Sequence, residues 1–232
     1  MKQVDLKGLD PDLEPDSEKV NRLARIGISA LPVVGGPLVE IFNSVLESPL
    51  NKRRTETMIR IGEVMNELIE KGVVTEEGLR ENEAFISTVA EVCSISLRNH
   101  EAEKLDALRN AVKNSALPSC PSDDYRQLFL GFVDACTVTH IKLLHLFRDP
   151  RAWIAKQGRE VPANWYMGGL TQVIEYSIPE LINQSTLYTP IWKDLYQRGL
   201  VTTDSLGTTM GVDSMLAGRA TPLGTKLIEF LS

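Results

Sequence analysis

Cys136 and His140 stand four residues apart. On one helix that spacing turns a thiol and an imidazole to the same face, which suits two zinc ligands or a thiolate–imidazole pair. Two donors do not make a metal centre, and no second Cys/His pair lies nearby in sequence. His145 falls five residues beyond His140 and points elsewhere. The reading adopted is a buried cysteine beside a hydrogen-bonded histidine. Asp123-Asp124 offers two carboxylates, but acids in a first helical turn answer the helix dipole. Val34-Gly35-Gly36-Pro37 and Gly168-Gly169 have the glycine content of phosphate loops without the GxxxxGK[ST] spacing. The sequence contains no GxSxG, no HExxH and no deaminase pattern. The expectation is a non-enzymatic protein with no catalytic residue, cofactor or metal ligand.

A different chemistry is offered by Lys52-Arg53-Arg54. These cations directly follow the least polar part of the chain, residues 23–50, in which no charge falls between Arg25 and Glu40. At the centre of that stretch sit Pro32, Val33, Val34, Gly35, Gly36 and Pro37. Proline lacks the N–H and clashes with the preceding turn, and glycine loses the most backbone entropy. The expectation is two apolar helical arms folded at a tight corner. An apolar hairpin plus a basic cluster is what a membrane-surface element needs. The competing and preferred reading buries the hairpin in a helical core and pairs the cluster with Glu47 and Glu56. The corner and the cations are together the candidate membrane or partner surface.

Composition narrows the classes. The 232 residues are 43% hydrophobic and 24% charged, which fits a folded globular chain. The net charge of −6 and pI near 5.2 are not the footprint of a protein that lives on nucleic acid. Three cysteines, odd in number and without CxxC, suggest a reducing cytoplasm. The polar, acidic first twenty residues show no secretory pattern. The longest apolar run is short of the ~20 residues a spanning helix needs.

The elements follow from periodicity and punctuation. Residues 1–15 read as a flexible arm and residues 16–114 as a helical domain. Its first helix covers 16–31, and a second arm runs over 37–46. Ser48-Pro49 then opens a helix over 51–71 with Met58, Ile61, Met65, Leu68 and Ile69 inward, closed by Gly72. Thr75 caps a short turn to Arg80. Asn82 caps a helix with Phe85, Ile86, Val89, Val92 and Ile95 inward. Residues 100–114 form another helix, with Leu105, Leu108 and Val112 inward. Residues 115–122 hold two prolines and three serines and read as a linker. Residues 123–232 form a second domain. It opens with one helix over 123–147, whose apolar side includes Leu128, Phe132, Ala135, Val138, Ile141, Leu144 and Leu146. A short helix follows at 151–157, then a loop at 162–169 and a helix over 170–182, or one that stops at Ile178 with Pro179 beginning a new turn. A further helix at 184–200 is interrupted near Pro190, with Ile191, Leu195 and Tyr196 inward and Gly199 closing it. Strand-like pieces at 200–203 and 215–221 pair back. A terminal helix starts at Thr221 and Pro222.

The tail carries a resemblance. Ile191-x-x-x-Leu195-x-x-x-Gly199-Leu200-Val201, a variable loop, and Ala220-Thr221-Pro222-Leu223-Gly224-x-x-Leu227 look like the end of a winged-helix domain. The resemblance implies a winged-helix-like α+β subdomain with a two-stranded wing; with the N-terminal helical bundle and its Pro/Gly-cornered αα-hairpin read from periodicity, the expected fold is mainly α. Winged helices usually bind DNA through the third helix, here 189–198. This copy offers Lys193 and Arg198 against Asp194, with Arg219 in the wing, which is poor for phosphate contact. The whole chain also resembles bacterial helical proteins of the abortive-infection-alpha type, through ALPVVGGPLVEIFNSV, SPLNKRR, EKLDALRNAVKN, THIKLLHLFRDP and ATPLGTKLIEFL. That resemblance implies a role in phage defence and transfers no active-site residue.

The function expected from these readings is non-catalytic binding or regulation through a protein partner or a second copy, in the cytoplasm. One alternative is a membrane-active effector that associates with membrane when triggered. The other is a DNA-binding regulator using Lys193, Arg198 and Arg219.

Overall fold

The computed structural model describes residues 36–232, with side chains from Pro49 onward. The expected first helix at 16–31 and the corner residues Pro32, Val33, Val34 and Gly35 lie outside the described residues. The chain divides into two compact units between Cys120 and Pro121. The described residues are mainly helical, with one small two-stranded antiparallel sheet.

In the first unit, α1 (Gly36–Glu70) is one helix of 35 residues with Pro49 inside it. The expected break at Ser48-Pro49 is absent. Proline deletes one backbone bond and crowds the carbonyl four residues back, a local cost of about 3 kcal/mol. Long helical runs on both sides keep all their other bonds. Lys52, Arg53 and Arg54 therefore sit in mid-helix, away from the unfavourable positive end of the helix dipole.

The punctuation after α1 follows the local chemistry. Gly72 takes a left-handed φ of 65°, and Val73 N–H reaches back to the Leu68 carbonyl at 3.0 Å. Thr75 Oγ1 accepts from Gly78 N–H to start α2 (Glu76–Arg80). Asn82 Oδ1 accepts from Phe85 N–H to start α3 (Glu83–Arg98). Then α4 (Ala102–Ser115) packs with α1 and α3. Their shared core holds Ile61, Val64, Leu68, Phe85, Val92, Ile95, Leu108 and Val112, with Ala107 and Ala111 permitting close approach. Ile86, expected inward, is 42% exposed, and Thr88 takes the buried place with its hydroxyl on the Ala84 carbonyl. The face set by Phe85, Val92 and Ile95 passes through residue 88 and not 86.

In the second unit the expected single helix over 123–147 is two: α5 (Asp123–Ala135) and α6 (Val138–Arg148). Cys136 and Thr137 are extended, and Thr137 and His140 form a reciprocal capping box that restarts the helix. The inward face of α5 is Phe129, Leu130, Phe132 and Val133; Leu128, expected inward, is 54% exposed. Asp149 caps α7 (Pro150–Lys156) through Ala152 N–H. The expected loop over 162–169 contains β1 (Met167–Gly168), followed by α8 (Leu170–Ser177) and a 3-10 turn at Pro179–Leu181. Then come α9 (Ser185–Gln197), β2 (Met210–Gly211), α10 (Val212–Met215) and α11 (Pro222–Phe230). Pro190 lies inside α9 without interrupting it.

The sheet is β1 against β2, with Met167 opposite Gly211 and Gly168 opposite Met210. The pairing expected between 200–203 and 215–221 is reduced to one bridge, Val201 to Ala220, and residues 212–215 form α10. Gly199, at φ 72°, closes α9, and Leu200 N–H returns to the Leu195 carbonyl at 2.9 Å. Thr221 ties the ends together: its hydroxyl donates to the Gly199 carbonyl and accepts from Gly224 N–H. The unit's core joins Leu143, Leu146, Phe147, Val173, Ile174, Trp192, Leu195, Leu227 and Phe230. Phe147 and Trp192 meet edge-on at 4.7 Å.

Candidate functional site

Among the described residues, a cluster of thiol, imidazole and carboxylate lies where the α5–α6 junction meets α9. Two features build the junction. Cys136 ends α5 with its N–H on the Phe132 carbonyl at 2.9 Å. Thr137 then caps α6: its N–H donates to His140 Nδ1 at 3.1 Å, and its hydroxyl lies 2.9 Å from the same nitrogen. Because α6 and α9 pack together, the far edge of the imidazole meets Asp194, with Nε2 3.3 Å from Oδ2. Asp194 in turn accepts from Arg198 Nε at 2.7 Å, one helical turn on. The Arg198 guanidinium lies 5.3 Å from the Phe132 ring centre, and Phe132 meets His140 edge-on.

Cys136 and His140 are buried, at 3% and 8% exposure, while about a third of the Asp194 side chain reaches solvent. The donor atoms of Cys136, His140 and Asp194 all lie within 4.8 Å of one another. The hydrogen bond that Arg198 donates to Asp194 raises the Arg198 pKa above its ordinary value, and Cys136 adds a smaller pull in the same direction.

The bonds define what this arrangement can do. With Nδ1 accepting from the Thr137 N–H and Nε2–H donating to Asp194, the neutral imidazole is engaged at both nitrogens. In that tautomer the ring offers no free lone pair to Cys136. Cys136 and His140 do come together as their spacing implied, but across a helix break and not along one helix face. Asp194 was legible in the sequence only as an acid opposing DNA contact. Its role depends on α6–α9 packing across 54 residues, which no local pattern records.

The other candidates are placed elsewhere. Arg53 donates to the Leu97 carbonyl at 3.1 Å, sealing the end of α3. Lys52 lies 4.0 Å from Glu56 with both side chains largely exposed, and Arg54 is exposed. Arg219 donates to the Ser214 carbonyl at 2.6 Å, and Arg198 is committed to Asp194. Lys193 is exposed on α9. Asp123 pairs with Arg126 at 2.7 Å, as a first-turn acid does. Gly169 is required by packing: a Cβ there would stand 2.7 Å from the Leu206 carbonyl oxygen. In the first unit, Glu67 gathers Lys71, Lys113 and Arg109 at 2.8, 2.7 and 3.3 Å. Among the described residues no helix is long and apolar enough to cross a membrane.

No known protein family, curated protein or solved structure matches the chain.

Proposed function

We propose that the chain is a non-catalytic protein-binding module whose second unit is a winged helix turned to protein recognition. The order of elements supports the winged-helix reading. β1 precedes α8 and α9, and the returning chain pairs with β1 through β2 and with Val201 through Ala220.

One observation carries the choice of partner. The basic side chains where such a fold would meet phosphate are engaged within the chain: Arg198 donates to Asp194 and Arg219 to the Ser214 carbonyl. The solvent arc of α9 carries Thr186, Pro190, Lys193 and Gln197, flanked by Leu187 at 46% and Tyr196 at 44% exposure. Such a surface, weakly charged and edged by large apolar groups, suits a protein face better than a nucleic-acid backbone. Cys93, Cys120 and Cys136 are all unbridged, which suits the reducing cytoplasm of this reading. The resemblance to abortive-infection-alpha proteins makes phage defence its proposed setting.

Photo-crosslinking from position 196, in cells expressing the full chain, tests the reading. A discrete protein adduct that disappears with Leu187→Glu supports it. Crosslinks to nucleic acid, or salt-dependent DNA affinity lost with Lys193→Glu, overturns it in favour of the DNA-binding alternative.

A further inference from the structure

We propose that Cys136, His140 and Asp194 bind a thiophilic divalent transition ion, zinc being the best fit. The expectation of no metal ligand rested on two donors; tertiary packing supplies the third. The donor set is one sulfur, one imidazole nitrogen and one carboxylate oxygen. It selects zinc or cobalt over magnesium or calcium, which want oxygen alone.

The geometry suits a tetrahedral ion. Bonds of about 2.0–2.1 Å to nitrogen and oxygen put those two ligands roughly 3.4 Å apart, and a bond of about 2.3 Å puts sulfur roughly 3.6 Å from each. His140 Nε2 and Asp194 Oδ2 are already 3.3 Å apart. The Cys136 sulfur lies within 4.8 Å of both, so at most roughly 1 Å remains to be closed on binding. Burial of Cys136 and His140 shields the sulfur and the ring, while the partly exposed Asp194 side leaves an entry path and a fourth position for water.

The surroundings supply the outer contacts such a centre needs. Thr137 Oγ1, 2.9 Å from His140 Nδ1, accepts a proton-bearing Nδ1 once Nε2 turns to the metal. The Thr137 N–H then gives up its bond to Nδ1, and water replaces it, because Thr137 is exposed. Arg198 holds the Asp194 carboxylate in place and balances its charge before the ion arrives. On binding, the His140 proton moves from Nε2 to Nδ1 and the Cys136 thiol loses its proton to solvent. One proton is released per ion, and the thiolate and carboxylate together offset the divalent charge, leaving the site with the single positive charge of Arg198. The ion would join the α5–α6 junction to α9.

The test uses the full chain, prepared metal-free, titrated with zinc and separately with cobalt. The expected result is one ion per chain, a thiolate-to-cobalt charge-transfer band, and release of one proton. Cys136→Ser removes the band and Asp194→Asn weakens zinc binding at least tenfold, with the helical circular dichroism of each unchanged. Thr137→Val weakens binding about tenfold through the outer shell. Cys93→Ser and Cys120→Ser leave the site intact. His140→Gln removes a cap as well as a ligand, so Asp194→Asn, which leaves the cap intact, decides the question. Absence of saturable one-to-one uptake overturns the proposal. So does uptake that survives Cys136→Ser unchanged, or that is lost with Cys93→Ser or Cys120→Ser.

Discussion

His140 Nε2 lies 3.3 Å from Asp194 Oδ2, while the other face of the same ring caps α6 through Thr137. One imidazole thus joins a helix start to a second helix 54 residues away. Replacing it removes a capping acceptor and leaves Asp194 with Arg198. His140→Ala is expected to cost about 1–3 kcal/mol, the sum of a lost cap and a charge-assisted bond. Urea denaturation measures this. A loss below a few tenths would show that the junction does not depend on the ring.

Glu67 sets the acid behaviour of the first unit. Hydrogen bonds from Lys113 and then Lys71 hold its carboxyl down from 4.5 to about 2. A carboxylate depressed in the folded state contributes stability that is fully present above its unfolded value. That contribution is lost as pH falls through the folded value. Stability attributable to Glu67 should therefore decline between about pH 4.5 and 2. Glu67→Gln should flatten the pH dependence in that window and lower stability at pH 7, where Lys71, Arg109 and Lys113 would face one another without it. Thermal melts of both proteins across the range provide the comparison.

Two glycines in the second unit should respond oppositely to alanine. A Cβ on Gly224 would collide with the Leu200 carbonyl oxygen, where α11 starts against the end of the α9 turn. Gly224→Ala is expected to destabilise by about 1–3 kcal/mol. Gly131 lies within α5 with open space around its Cβ position, so Gly131→Ala should stabilise by up to about 1 kcal/mol. Paired denaturation curves with the same sign would contradict the packing described at one of the two sites.

The cations after the apolar stretch should separate by role. Arg53→Ala removes the bond to the Leu97 carbonyl and should cost about 1 kcal/mol. Lys52→Ala loses only an exposed pair at 4.0 Å and should fall within a few tenths of a kcal/mol of the parent. Equal effects would mean the cluster acts through charge alone. Co-sedimentation with anionic vesicles, lost when Lys52, Arg53 and Arg54 become glutamate, would revive the membrane-surface reading.

Sequence alone determined the features whose physics is local. Thr75, Asn82 and Thr221-Pro222 mark helix starts because a cap needs only a side-chain oxygen and an N–H three residues on. Gly72 and Gly199 mark helix ends because a left-handed residue is needed there and glycine takes it without strain. The mainly helical class follows from the apolar period. Tertiary structure alone decided the rest. Whether Pro49 breaks a helix depends on the helix on both sides of it. The choice of Thr88 over Ile86 for the core was set by the neighbouring helices, since amphipathic faces blur where apolar residues adjoin. Above all, Asp194 meets His140, and Arg53 meets the Leu97 carbonyl, only because packing brings distant segments within hydrogen-bond range. A linear pattern records which donors exist, and only the fold decides which of them share a site.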